Sequence, residues 1–153
     1  MSFSFKKFLL FFSGAGGVLL IDQQTKSWVL CLVPDRLSSL TVTPYFNIVH
    51  VWNRGVSFGL LKYINTVWVF VGFVCIAVIF FIWCTYKEAL YKGVLLYGTI
   101  TGGALGNITD RLMHGAVFDF LDFHWGTAHF PAFNFADACI STGAVLLALL
   151  YRR

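Results

Sequence analysis

The 24 residues from Tyr63 to Tyr86, YINTVWVFVGFVCIAVIFFIWCTY, carry no charge and lie between Lys62 and Lys87. A bilayer core about 30 Å thick needs ~20 apolar residues in a helix, so this stretch predicts a membrane span and sets the class of the chain. Working outward, Gly93 to Thr109 is a second uncharged run, of 17 residues, between Lys92 and Asp110. Phe8 to Ile21 and Ala138 to Tyr151 have 14 residues each and become long enough only by taking in Asp22 and Asp137. The expected fold is an all-α membrane protein of one domain, residues 1–153, with four spans at 8–27, 64–86, 93–110 and 137–151.

Composition agrees. Of 153 residues, 58% are hydrophobic and 12% charged, against the roughly 25% charge of ordinary soluble domains. Disorder is excluded by the same values. The net charge of +4 is spread along the chain and forms no basic stripe, so no nucleic-acid partner is expected. Cys31, Cys75, Cys84 and Cys139 form no CxxC pair, which indicates neither a disulfide framework nor a zinc site. Lys6 and Lys7 before Phe8–Ile21 have the look of a secretory signal, yet no small-x-small cleavage site follows, and a retained first span is expected. Trp28-Val29-Leu30 before Cys31 lacks the small residue of a lipidation signal, so the chain is not expected to be a lipoprotein itself.

The connection over 34–62 contains Thr41-Val42-Thr43 and Ile48-Val49-His50-Val51-Trp52, followed by the turn residues Asn53-Arg54-Gly55. β-Branched and aromatic residues in that pattern predict a small extracytoplasmic β-sheet, with Thr41 to Phe58 as a platform or lid. The connection over 111–136 shows no long period and is expected to be loop with short helical pieces. Four spans place both connections on one side of the membrane and both termini on the other. Lys6, Lys7, Lys87, Lys92, Arg152 and Arg153 are the more densely packed basic set, which puts the termini in the cytoplasm. Asp22, Asp35, Asp110, Asp119, Asp122 and Asp137 then all fall on the outer side, and only Glu88 on the inner.

An ionisable group at membrane depth costs about 2.5 to 3.5 kcal/mol even on the mildest scales and is a functional candidate by default. Asp22 and Asp110 are expected to end the first and third spans and Asp137 to open the fourth. Asp137 suits a helix cap as well as it suits catalysis. Lys26, four residues after Asp22, makes a structural ion pair a rival role there. Gly98, Gly102 and Gly106 form a small-residue stripe, which packing alone explains. Beside it, Asn107-x-x-Asp110 with Arg111 is matched by Asn134-x-x-Asp137. No Ser or Cys nucleophile has a suitable His, and His124 and His129 lack metal-ligand specificity, so neither a metal nor a cofactor is expected. Paired carboxylates sharing one proton remain as an amide-hydrolysing device, with Asp110 and Asp137 the first candidates from position alone. Two other readings stand beside it: a proton- or ion-coupled transporter with an aspartate relay, and a scaffold whose glycine stripe binds another span.

Five segments in order resemble the signatures of lipoprotein signal peptidase, the type II signal peptidase of bacteria: Asp22-Gln23-Gln24-Thr25-Lys26, Asn53-Arg54-Gly55-Val56-Ser57-Phe58-Gly59, Gly102 to Arg111, Gly115-Ala116-Val117-Phe118-Asp119-Phe120, and Phe133-Asn134-Phe135-Ala136-Asp137. The resemblance implies an aspartic protease of the bacterial inner membrane that cuts the signal peptide from diacylglyceryl-modified prolipoproteins, on the N-terminal side of the lipidated Cys. It implies Asp119 and Asp137 as the catalytic pair, which moves Asp110 to a structural role, held by Arg111 or by backbone donors. Asp22, Asn53, Asn107, Asp110, Arg111 and Asn134 match positions that shape the pocket and bind substrate or the peptide antibiotic globomycin. A monomer among membrane lipids, its site toward the periplasm, completes the expectation.

Overall fold

The computed structural model describes residues 5–36, 38–55, 66–88 and 90–152. Its elements are α1 (Phe5–Leu32), β1 (Ser39–Thr43), β2 (Phe46–Asn53), α2 (Thr66–Lys87), α3 (Tyr91–His114), β3 (Val117–Trp125), β4 (Ala128–His129) and α4 (Phe135–Leu150). The protein is thus mainly helical, with one small antiparallel sheet of order β1-β2-β3-β4.

Among the described residues, α2 from Val67 to Lys87 is the one helix that is both long and apolar enough to cross a bilayer, with a mean hydropathy of 2.8. α4 is apolar but has 16 residues, and α1 and α3 carry charges within their length. Those charges do not end the helices. α1 runs ten residues past Asp22 to Leu32, and α3 continues past Asp110 to His114. Asp22 and Asp110 therefore sit inside helices rather than at their C-termini, because both carboxylates are buried at the contact between α1 and α3 and find partners there.

The glycine stripe explains that contact. A Cβ on Gly98 would overlap the Phe11 carbonyl oxygen, one on Gly102 the Ala15 carbonyl oxygen, and one on Gly106 the Asp22 carboxylate. α3 thus lies against α1 backbone to backbone, an approach only small residues permit. At the opposite end, the Lys7 ammonium donates to the Glu88 carbonyl and ties α1 to the turn between α2 and α3.

The second connection is not the loop expected over 111–136. α3 stops at Gly115, which adopts φ 70 and donates its N–H to Arg111, a left-handed cap that costs glycine nothing. The chain then enters β3, whose partner is β2, with Asn53 opposite Val117, Trp52 opposite Phe118 and Val51 opposite Asp119. The sheet is therefore built from both connections, not from 34–62 alone, and 56–65, where the end of that insertion and the Phe58 edge of the proposed lid fall, lie outside the described residues. Phe118 and Phe120 pack with Val29 of α1 and fasten the sheet to the helices. Strand alternation turns Asp119 to the other face.

Gly102→Leu drives a side chain into the Ala15 carbonyl and Val18. Because the obstacle is backbone, the expected loss of stability exceeds the about 1–3 kcal/mol of ordinary overpacking. Thermal unfolding in detergent checks this against Gly16→Ala, where nothing lies within 4 Å of the added carbon.

Candidate active site

Three asparagines bring the predicted residues together. A Phe133 backbone bridge to Leu121, with N–H···O distances of 2.8 and 3.1 Å, lays the entry to α4 along β3. The next residue, Asn134, caps α4. Its Oδ1 accepts the Asp137 N–H at 2.9 Å, while the Asp137 carboxylate accepts the Asn134 N–H at 3.3 Å. This reciprocal capping box satisfies two of the donors that a helix start leaves orphaned. It also fixes the Asn134 amide, whose Nδ2 must point away from the cap, and that Nδ2 donates to Asp119 at 2.7 Å.

Asn53 is oriented in the same way. Its Oδ1 accepts the Gly55 N–H at 2.9 Å, in a turn that needs Gly55 at φ 80, so Nδ2 is left to donate to Asp119 at 2.9 Å. The register places Asn53 diagonal to Asp119 across β2 and β3, within reach of a side chain on the same face. Asn107 is the third. Its Oδ1 accepts from the Lys26 ammonium at 3.3 Å and from Asn134 at 3.1 Å, so its Nδ2 donates to Asp137 at 2.7 Å. Each amide is oriented by a donor that cannot accept, which removes the usual ambiguity between amide oxygen and nitrogen.

Beneath them lies a buried charge cluster. Lys26 Nζ is 2.8 Å from Asp22 and 3.0 Å from Asp110, with all three side chains almost fully enclosed. The remaining valences are filled: Asp22 accepts the Ala136 N–H at 3.0 Å, and Asp110 accepts the Phe118 N–H at 3.0 Å. Gln23 donates to Asp110 at 3.0 Å and to Asp22 at 3.1 Å. The expected Asp22–Lys26 pair is present. Asp110 is held directly by a backbone donor and by Lys26, while the Arg111 guanidinium bonds to the Asn107 carbonyl at 3.2 Å and lies 4.3 Å over the Phe70 ring. Arg111 acts on Asp137, Asp119 and Asp110 through its charge.

All eight predicted residues thus meet in one region. Reading the sequence did not find Gln23, nor the reach of Lys26 to Asp110 and Asn107. The available signal was Lys26 lying one turn after Asp22 and Gln23 on α1, at the level of Gly106 on α3.

Burial pushes the Asp119 carboxyl up to about 6; the Asn53 and Asn134 hydrogen bonds pull against it, and the charge of Asp137 adds to it. Asp119 therefore holds a proton more readily than a free carboxyl does near neutral pH, whereas Asp137 is only half-buried. The cluster can present a proton-holding carboxyl, Asp119, beside a second carboxyl, Asp137, to a single group bound between β3 and α4. His129 and Asp122, 2.8 Å apart, form a separate pair at the sheet tip. Among the described residues no group of His, Cys, Asp and Glu could hold a metal ion.

The family model described as signal peptidase (SPase) II matches residues 15–152. A lipoprotein signal peptidase of Shewanella sp. (strain MR-4) is 44% identical over 137 residues, 85% of this chain and 78% of its own length. That of Shewanella amazonensis is 45% identical over 139 residues, 86% of this chain and 80% of its own. A bacterial membrane enzyme solved by the in meso method at 1.9 Å superposes with a TM-score of 0.78 at 29% identity, covering 97% of this chain and 94% of that one.

Two substitutions test the geometry. Lys26→Met strands two buried carboxylates, and breaking such a cluster costs about 3–5 kcal/mol, to be read from thermal unfolding in detergent. Asn53→Ala removes a hydrogen bond that favours charged Asp119, so the Asp119 pKa moves further up from about 6, to be followed by infrared titration of its protonated C=O band.

Proposed function

The chain belongs to the signal peptidase II family, and on that premise we propose that Asp119 and Asp137 are the pair with which it cleaves signal peptides from prolipoproteins. The single observation carrying this assignment is that both carboxyls are hydrogen-bonded to Asn134, which sets them at one point between β3 and α4. The enzyme is a membrane peptidase of the aspartic type. The ion-coupled transporter reading is set aside, because the family match assigns a peptidase.

The division of labour follows from the environments. Asp119, buried and pushed up to about 6, holds the shared proton and donates it to the carbonyl oxygen of the scissile amide. Asp137, in the first turn of α4 where the helix dipole favours negative charge, takes a proton from water as the water oxygen attacks the carbonyl carbon. Collapse of the tetrahedral species breaks the C–N bond, and the proton on Asp137 passes to the leaving amine, while the carbonyl proton returns to Asp119. The dyad ends as it began. Asn53, Asn107 and Asn134 hold the carboxyls with neutral donors, Asp22 and Asp110 anchor the floor through Lys26, and Arg111 supplies positive charge near the pair.

The bond cut is the one on the N-terminal side of the diacylglyceryl-modified Cys. The signal peptide approaches as an apolar helix in the bilayer, where α1, α2, α3 and α4 supply the four spans over about 8–27, 64–86, 93–110 and 137–151. Both termini are cytoplasmic in the bacterial inner membrane, the site faces the periplasm, and the sheet covers it. The monomer is the working unit, surrounded by membrane lipid, and a globomycin-type peptide would occupy the same cleft.

Asp119→Asn and Asp137→Asn should each abolish cleavage of a lipidated precursor while leaving the protein folded and inserted; full activity in either variant overturns the pair. Activity should fall as pH rises from about 6, as Asp119 loses the proton it would donate to the carbonyl oxygen. Asp137→Asn removes the neighbouring negative charge that raises the Asp119 pKa, so the C=O band of Asp119 should titrate at lower pH in that variant.

A further inference from the structure

Where the end of β2 meets the end of α3, a pocket of about 210 Å³ is lined by Arg36, Trp52, Arg54, His114 and Ala116. It lies outside the aspartate cluster, and no carboxylate is among its described lining residues. Neither arginine forms an ion pair among the described residues. The acids of the chain are engaged elsewhere: Asp22 and Asp110 on Lys26, Asp119 and Asp137 on the asparagines, Asp122 on His129, and Glu88 on the Leu90 N–H. Asp35, the neighbour of Arg36, lines no part of the pocket.

One wall is built rather than incidental. The Val33 carbonyl takes the His50 Nδ1 proton at 2.7 Å, which leaves His50 Nε2 to accept the Trp52 indole N–H at 2.9 Å. The indole also packs on His114 and Phe118, with ring centroids 5.0 and 5.3 Å away. Trp52 is thereby fixed, and it holds His114 at the pocket. Leu112 and Met113, in the same last turn of α3, are strongly exposed apolar side chains. Arginines that line one pocket with the end of such a helix suit the interface, where long basic side chains at helix ends reach lipid headgroups.

We propose that this pocket binds the phosphodiester of a membrane glycerophospholipid, with Arg36 and Arg54 on the non-bridging oxygens and His114 as a third donor. Planar guanidinium groups match phosphate geometry through paired N–H···O bonds. A bound headgroup there sets the height of the active-site end of the sheet, because Arg54 directly follows Asn53, whose amide holds Asp119. The proposal rests on the membrane placement given above and not on which carboxyls are catalytic.

The full-length protein in detergent is titrated with short-chain phosphatidylglycerol and followed by phosphorus NMR, with prolipoprotein cleavage measured on the same samples as a separate report on the family reading. Saturable binding is expected, weakened roughly tenfold by each of Arg36→Gln and Arg54→Gln and partly restored by the lysine variants. His114→Gln, on an exposed side chain, should weaken it too and serves where an arginine variant fails to fold. Diacylglycerol without phosphate should not compete, and inorganic phosphate should compete only weakly. Equal affinity in the wild type and the double glutamine variant overturns the proposal, as does displacement by diacylglycerol. If the variants instead lose only the processing of precursors with an acidic residue after the Cys, the pocket reads a substrate carboxylate and the lipid assignment fails.

Discussion

The Lys26 ammonium, buried between Asp22 and Asp110, is the interaction on which the rest depends. Three ionisable groups removed from water are tolerated only where each is paired and its remaining hydrogen-bonding capacity is filled. That condition dictates the neighbours. Gly106 must lack a side chain because a Cβ there would overlap the Asp22 carboxylate, so the glycine stripe that first reads as packing also makes room for charge. The Ala136 and Phe118 N–H groups must face the cluster, which fixes where α4 begins and where β3 starts. Two elements from distant parts of the chain are thus brought to one point by carboxylates of α1 and α3.

From that floor the constraint passes upward through neutral groups. Lys26 orients Asn107, which donates to Asp137; the cap of α4 orients Asn134, which donates to Asp119; Gly55 orients Asn53, which donates to the same carboxyl. A helix cap and a catalytic carboxylate are rival roles for Asp137 when only the sequence is in view. In the folded chain the cap is present and compatible with the proposed role, since it directs the Asn134 amide at Asp119.

The sequence marked the four helices and the polar residues that the fold gathers, and left unread the contacts that gather them. The uncharged run ending at Tyr86 is, from Thr66 onward, α2, because its backbone can be satisfied in apolar surroundings only within a helix. The pair Asp22 and Lys26 is local, at i and i+4, and could be read directly. The approach of Asp110 to Lys26 is set by the register between α1 and α3, which no local pattern encodes. β3 was missed for a different reason. Val117 to Trp125 has apolar residues on both faces and carboxylates on both, Asp119 on one and Asp122 on the other, so the alternation that betrays a half-buried strand is absent.

The same contacts explain why Asp119, rather than Asp110, suits proton sharing. Position alone favours Asp110, which lies toward the end of a helix beside an arginine. Yet its carboxylate is committed to an ammonium, a backbone N–H and Gln23. Asp119 is equally buried, but among the described residues its hydrogen bonds come from the neutral amides of Asn53 and Asn134, and Lys26 acts on it only through its charge. Burial then works against its charge, and Asp137 nearby works in the same direction. By bonding the ammonium to Asp22 and Asp110 and lining Asp119 and Asp137 with asparagine, the fold commits one pair of aspartates to structure and leaves the second pair suited to the proton exchange proposed for it.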